Sequence, residues 1–119
     1  MPDRDMAIRN LATGDIFHAD GANRASLICL VTSVTETTVQ ARTLTTQLCL
    51  SFNRQTGTAA WDSGTIDSTA PLPVAVADAL LGLDRRYRLG TDPDRARLLD
   101  AEKRALSFVY HFYRENRLD

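Results

Sequence analysis

Ala25-Ser26-Leu27-Ile28-Cys29-Leu30-Val31-Thr32-Ser33-Val34 is a strand-length segment that holds five consecutive apolar side chains, Leu27 to Val31. Successive residues of a strand face opposite sides of the sheet, so an apolar run without alternation needs cover on both faces. The segment therefore reads as a central strand, with a core on one side and a packed helix on the other.

Upstream, Gly14 introduces Asp15-Ile16-Phe17-His18-Ala19, a first strand that leaves through the turn Asp20-Gly21-Ala22-Asn23. Downstream, Thr35-Glu36-Thr37 turns into a third strand, Thr38 to Thr43, with Val39 and Ala41 inward and Gln40 and Arg42 outward. After a bend at Leu44-Thr45-Thr46, a fourth strand runs from Gln47 to Phe52, with Leu48, Leu50 and Phe52 on one face. Asn53 to Gly57 then forms a hairpin loop with Gly57 in the left-handed position, and Thr58-Ala59-Ala60-Trp61 is the last strand. Five short meandering antiparallel strands point to a small SH3-like β-barrel over 14–61.

Residues 62–73 are rich in Asp, Ser, Thr and Pro and read as a linker. From Val74 to Tyr87, Val76, Leu80, Leu83 and Tyr87 recur at helical spacing, with Gly82 as a weak point. Gly90 ends this helix, Asp92 caps the next, and Pro93 opens a second helix to about Asn116. Its stripe is Leu98, Ala101, Ala105, Phe108 and Phe112, broadened by Leu99, Leu106, Val109 and Tyr113. The expected architecture is α+β: one domain over 1–119, with a helical hairpin at 74–117 packed on the barrel.

The chain has 119 residues, 44% hydrophobic and 24% charged, which suits a globular domain. Its net charge is −1. Five Arg stand against seven acids up to residue 70, and nine basic residues against eight acids beyond it, so no broad basic footprint for nucleic acid exists. The start, Met1-Pro2-Asp3-Arg4-Asp5, lacks a signal-peptide layout and no apolar run reaches membrane-spanning length, so a cytoplasmic location without membrane association is expected. Cys29 and Cys49 sit in apolar runs and read as small core fillers.

No phosphate-binding glycine loop, nucleophile elbow, zinc-protease motif or paired-cysteine pattern occurs, so neither metal nor cofactor is expected. His18 and His111 read as edge residues, and Asp15, Asp20 and Glu36 as turn acids that cap backbone amides. The cluster Arg85-Arg86-Tyr87-Arg88 complements a helix C-terminus, with Asp84, Asp92 and Asp94 nearby for local pairing. Strand parity can gather Gln40, Arg42, Gln47, Arg54 and Trp61 on one outer side, a candidate surface for a peptide or an acidic group, although Trp61 serves equally as a core plug. The surplus width of the last helix's apolar stripe suggests a homodimer contact.

The order Gly14-Asp15-Ile16, a turn, then Arg24-Ala25-Ser26-Leu27-Ile28 resembles the opening of the MazF/PemK toxin endoribonucleases over about fifteen residues. Here no proline follows the arginine, and the intervening turn is short. The resemblance implies an SH3-like barrel that cleaves RNA, with Arg24 and Thr45 or Thr46 in the catalytic positions. The residues themselves favour a noncatalytic binding or adaptor domain engaging another protein, with a nucleic-acid-binding barrel as a further alternative.

Overall fold

In the computed structural model, residues 4–21, 26–44, 46–59, 64–89 and 98–118 are described. The apolar run of the central strand, β2 (Ser26–Val34), is covered on both faces as its sequence requires. Cys29 and Val31 point into one core, whereas Ile28 and Leu30 point into a second. On either side β2 pairs antiparallel with β1 (Ile16–Asp20) and β3 (Thr38–Thr43). Outside these lie β4 (Cys49–Asn53) against β3 and β5 (Thr65–Ser68) against β1, giving the order β4-β3-β2-β1-β5.

The sheet curls into a half-barrel. Its concave face holds Phe17, Val31, Val39, Phe52 and Ile66, closed at one end by Ile8 and Leu11 from α1 (Arg4–Arg9) and the segment after it. The rings of Phe17 and Phe52 meet edge to face at 84° with centroids 5.4 Å apart, a favourable aromatic geometry. On the opposite face, α2 (Val74–Leu89) and α3 (Asp100–Glu115) bury Leu80, Leu83, Ala105, Leu106, Val109 and Tyr113 over Ile28, Leu30 and Leu44. Burying each large side chain contributes roughly 1.5–3 kcal/mol before the entropy of ordering is subtracted.

Several local devices match their sequence signals. The Thr35 hydroxyl accepts the amides of Thr37 and Thr38, a side-chain turn that fixes the β2–β3 hairpin. Gly57 adopts φ 78°, and the Asp15 carboxylate accepts the Ala12 amide at 2.9 Å.

Other expectations are corrected. The fifth strand lies at Thr65–Ser68, inside the stretch read as a linker, while Thr58 and Ala59 make only isolated bridges, to Thr65 and Phe52. A strand with one apolar residue, Ile66, in a Ser/Asp/Thr context carries little hydrophobic period. β4 begins at Cys49 because Gln47 turns through φ 57°, which leaves Leu48 56% exposed. Cys49 is exposed and not a filler, whereas Cys29 is buried.

The short α1 has no counterpart in the sequence reading. α3 begins at Asp100, with Leu98 and Leu99 outside the helix; Asp92, Pro93 and Gly90 fall outside the described residues, as does Trp61. The side chain of Glu102 accepts the Leu99 amide at 2.8 Å and so supplies the cap that Leu99 cannot.

Candidate functional site

A β-bulge builds a polar concave feature at the β1–β5 edge of the sheet. Ala19 pairs with Ile66 and His18 with Ser68, so Asp67 is the extra residue on β5. The bulge turns the Asp67 carboxylate onto His18, whose Nδ1 stands 2.5 Å from Asp67 Oδ1. A carboxylate only accepts, so Nδ1 carries a proton, and in the neutral imidazole Nε2 is then the acceptor. Ser26 Oγ lies 3.1 Å from Nε2 and donates to it in that neutral form. The hairpin register explains this second contact: Ser26 is opposite Asp20, two residues from His18 and on the same face of the sheet.

His18 is only 5% exposed, a correction to its reading as an edge residue. It is closed in by the Tyr113 ring, 5.5 Å away between centroids, while the Tyr113 hydroxyl donates to the Ile16 carbonyl. The buried Tyr113 phenol is pushed well above its ordinary pKa, chiefly by desolvation. The C-terminal end of α3 is stitched to β5, because the Leu118 amide donates to the Asp67 carbonyl and Ser68 Oγ to the Asn116 carbonyl, each at 2.7 Å. This brings Arg114 and Arg117 to the site. His18, Asp20, Ser26, Tyr110, Arg114 and Arg117 line a polar cavity of about 530 Å³.

Asp20 and Asp67 adjoin one another in this corner. Desolvation first, then the neighbouring Asp67, raises the Asp20 pKa above the usual carboxyl value. Asp67 Oδ2 is buried with no hydrogen-bond donor among the described residues. His18, Asp20 and Asp67 place ligand atoms within 4.8 Å of each other, the spacing of a cation site. The Arg117 guanidinium lies 3.7 Å from both carboxylates, however, and occupies that electrostatic role.

The outer-barrel residues singled out by parity are placed otherwise than as one cluster. Arg42 forms a two-pronged pair with Asp84 of α2 at 2.9 and 2.8 Å, and Gln47 Nε2 donates to the same carboxylate at 3.0 Å. Burial works against the charge of Asp84, yet these hydrogen bonds and the nearby Arg42 and Arg88 hold its pKa below the ordinary value. Arg54 instead donates to the carbonyls of Thr35 and Arg9, tying α1 to the hairpin end of the sheet. Gln40 is exposed and accepts from Ser33 Oγ at 3.1 Å.

Arg86 of the basic cluster pairs with the buried Glu102 of α3. His111 is exposed and pairs with Glu115 one turn away, as an edge residue does. Arg24 and Thr45, the positions implied by the toxin resemblance, lie outside the described residues, and the Thr46 hydroxyl is engaged with Thr43 at 2.5 Å.

A second concave feature lies between the helices. Ala75, Val76, Ala79, Ala101 and Ala105 floor an apolar groove of about 340 Å³, flanked by Arg104 and Phe108. The inward face of α3 is Ala105, Leu106, Val109 and Tyr113, so the Ala101–Phe108 arm of its stripe faces out, with Phe108 40% exposed.

Fold and site together define an α+β domain, a curled antiparallel sheet backed by two helices, with a buried histidine–carboxylate centre at one sheet edge. No family model, curated protein or solved structure matches the chain. Among the described residues no helix is long and apolar enough to cross a membrane.

Proposed function

We propose that this chain is a protein-binding domain of the adaptor kind, built on an SH3-like barrel, and that it docks through the α2–α3 groove onto a second copy of itself. The barrel reading is supported by the β1–β4 meander and by the bridges Phe52↔Ala59 and Thr58↔Thr65, which lead from β4 towards β5. The single observation behind the docking surface is the groove itself: a floor of small side chains with a large exposed ring on its own rim. Such a patch is self-complementary, since a two-fold axis lets each Phe108 enter the other copy's alanine floor. Phe108 stacks on Phe112 at 5.3 Å and 22°, which holds the ring ready at little further entropic cost.

Sedimentation equilibrium tests the proposal. The wild type is expected to form a concentration-dependent dimer, and Phe108→Asp a monomer with unchanged far-ultraviolet circular dichroism. A wild type that stays monomeric at millimolar concentration overturns it. The endoribonuclease alternative is read on the same preparations: it replaces this reading if structured or single-stranded RNA is cut by the wild type and spared by Arg24→Ala.

A further inference from the structure

The bulge-built corner has the order of contacts used in acyl transfer. A hydroxyl donates to an imidazole nitrogen, and the other nitrogen of that imidazole donates to a buried carboxylate. Ser26 Oγ to His18 Nε2 is 3.1 Å, and His18 Nδ1 to Asp67 Oδ1 is 2.5 Å. Ser26 itself is exposed while His18 is buried, so the nucleophile can be reached from the cavity as the base is held rigid behind it. Ser26 is not needed to close the core: it is exposed and the first residue of β2, and the hairpin register is set by the residues that follow.

From this geometry we infer that Ser26, His18 and Asp67 form a nucleophile, a general base and its positioning carboxylate, and that the cavity accepts a small polar carboxylic ester. Ser26 Oγ attacks the ester carbonyl carbon while its proton passes to His18 Nε2. The bond from that carbon to the leaving oxygen then breaks, and the Nε2 proton goes to the departing alkoxide. Water, deprotonated in turn by His18, attacks the acyl-serine, and Ser26 regains its proton as the acid leaves. Every proton taken is returned, and the net change is hydrolysis. Arg114 lines the same cavity and adds positive potential to it, which favours a developing oxyanion, whereas Arg117 is engaged with Asp20 and Asp67. The volume of about 530 Å³ suits a small molecule, and the polar lining favours an ester carrying hydrogen-bonding groups over an aliphatic one.

The probe is p-nitrophenyl acetate, read by nitrophenolate release and by intact mass with peptide mapping. The wild type is expected to carry one acetyl group on Ser26, formed in a burst ahead of slower turnover. Ser26→Ala, an exposed substitution, is expected to lose both adduct and burst with the fold retained by circular dichroism, and His18→Gln to slow acylation roughly a hundredfold or more. Should His18→Gln fail to fold, labelling of the wild type by a fluorophosphonate, lost in Ser26→Ala, carries the same information. Acetylation that maps to Cys49 or Lys103, or persists in Ser26→Ala, overturns the inference, as does a wild type that takes no label from either reagent.

Discussion

Replacing Asp84 by alanine removes the centre of a polar link between the sheet and α2. The Asp84 side chain is 4% exposed and that of Arg42 18%, and Asp84 accepts from Arg42 twice and from Gln47 once. Breaking a buried ion pair from one side costs about 3–5 kcal/mol, because the other charge is stranded. Arg42 retains some access to water, which brings the expected loss to about 2–3 kcal/mol. Urea unfolding at neutral pH is the assay, with Arg42→Met and the double variant closing a cycle whose coupling is expected at roughly 1–3 kcal/mol.

The pH dependence gives a second reading of the same pair. The folded pKa of Asp84 lies below its ordinary value, so its contribution is complete above about pH 4 and is lost as pH falls through the folded value. Asp84→Ala should flatten the stability curve in that acid window. A loss under about 0.5 kcal/mol, or strictly additive single variants, would refute the argument.

Further outcomes follow from single environments. One thiol, Cys49, is expected to react with a disulfide reagent in the native protein and two after denaturation, because burial pushes the Cys29 thiol up to about 12. Gly82→Ala is expected to stabilise by about 0.5–1 kcal/mol in thermal or urea unfolding, since an added Cβ meets nothing within 4 Å and α2 gains helix propensity. Asp20→Asn is expected to raise stability at neutral pH by roughly 0.5 kcal/mol, its amide giving Asp67 Oδ2 a permanent donor; a loss of stability there would show that Arg117–Asp20 pairing outweighs the repulsion between the carboxylates.

What the sequence revealed depended on how local each signal was. The doubly covered β2 followed from five adjacent apolar residues, the Thr35 turn from a side chain acting within three residues of its partners, and the Gly57 turn from glycine's freedom at positive φ. β5 was hidden because Ile66 is its only apolar residue and its partner, β1, lies far back in the chain. The histidine centre was hidden for the same reason: Asp67 is 49 residues from His18, and only a bulge turns it towards the imidazole. Arg42 was correctly read as facing away from the concave core, but its partner was not visible. The apolar run of β2 implies a helix on that side of the sheet, but not that Asp84 meets Arg42 there, 42 residues away in sequence. The apolar stripe of α3 was recognised, yet rotated by part of a turn, because residues on both arms are apolar and only packing decides which one goes inward.

The docking proposal is tested most directly by isotope-filtered nuclear Overhauser spectroscopy on a mixture of differently labelled copies of the full chain. Cross-peaks between the Phe108 ring of one copy and the methyl groups of Ala75, Ala79, Ala101 or Ala105 of the other are predicted. A concentrated sample that gives no such intermolecular peaks, or places them on the sheet instead of the α2–α3 groove, contradicts the account.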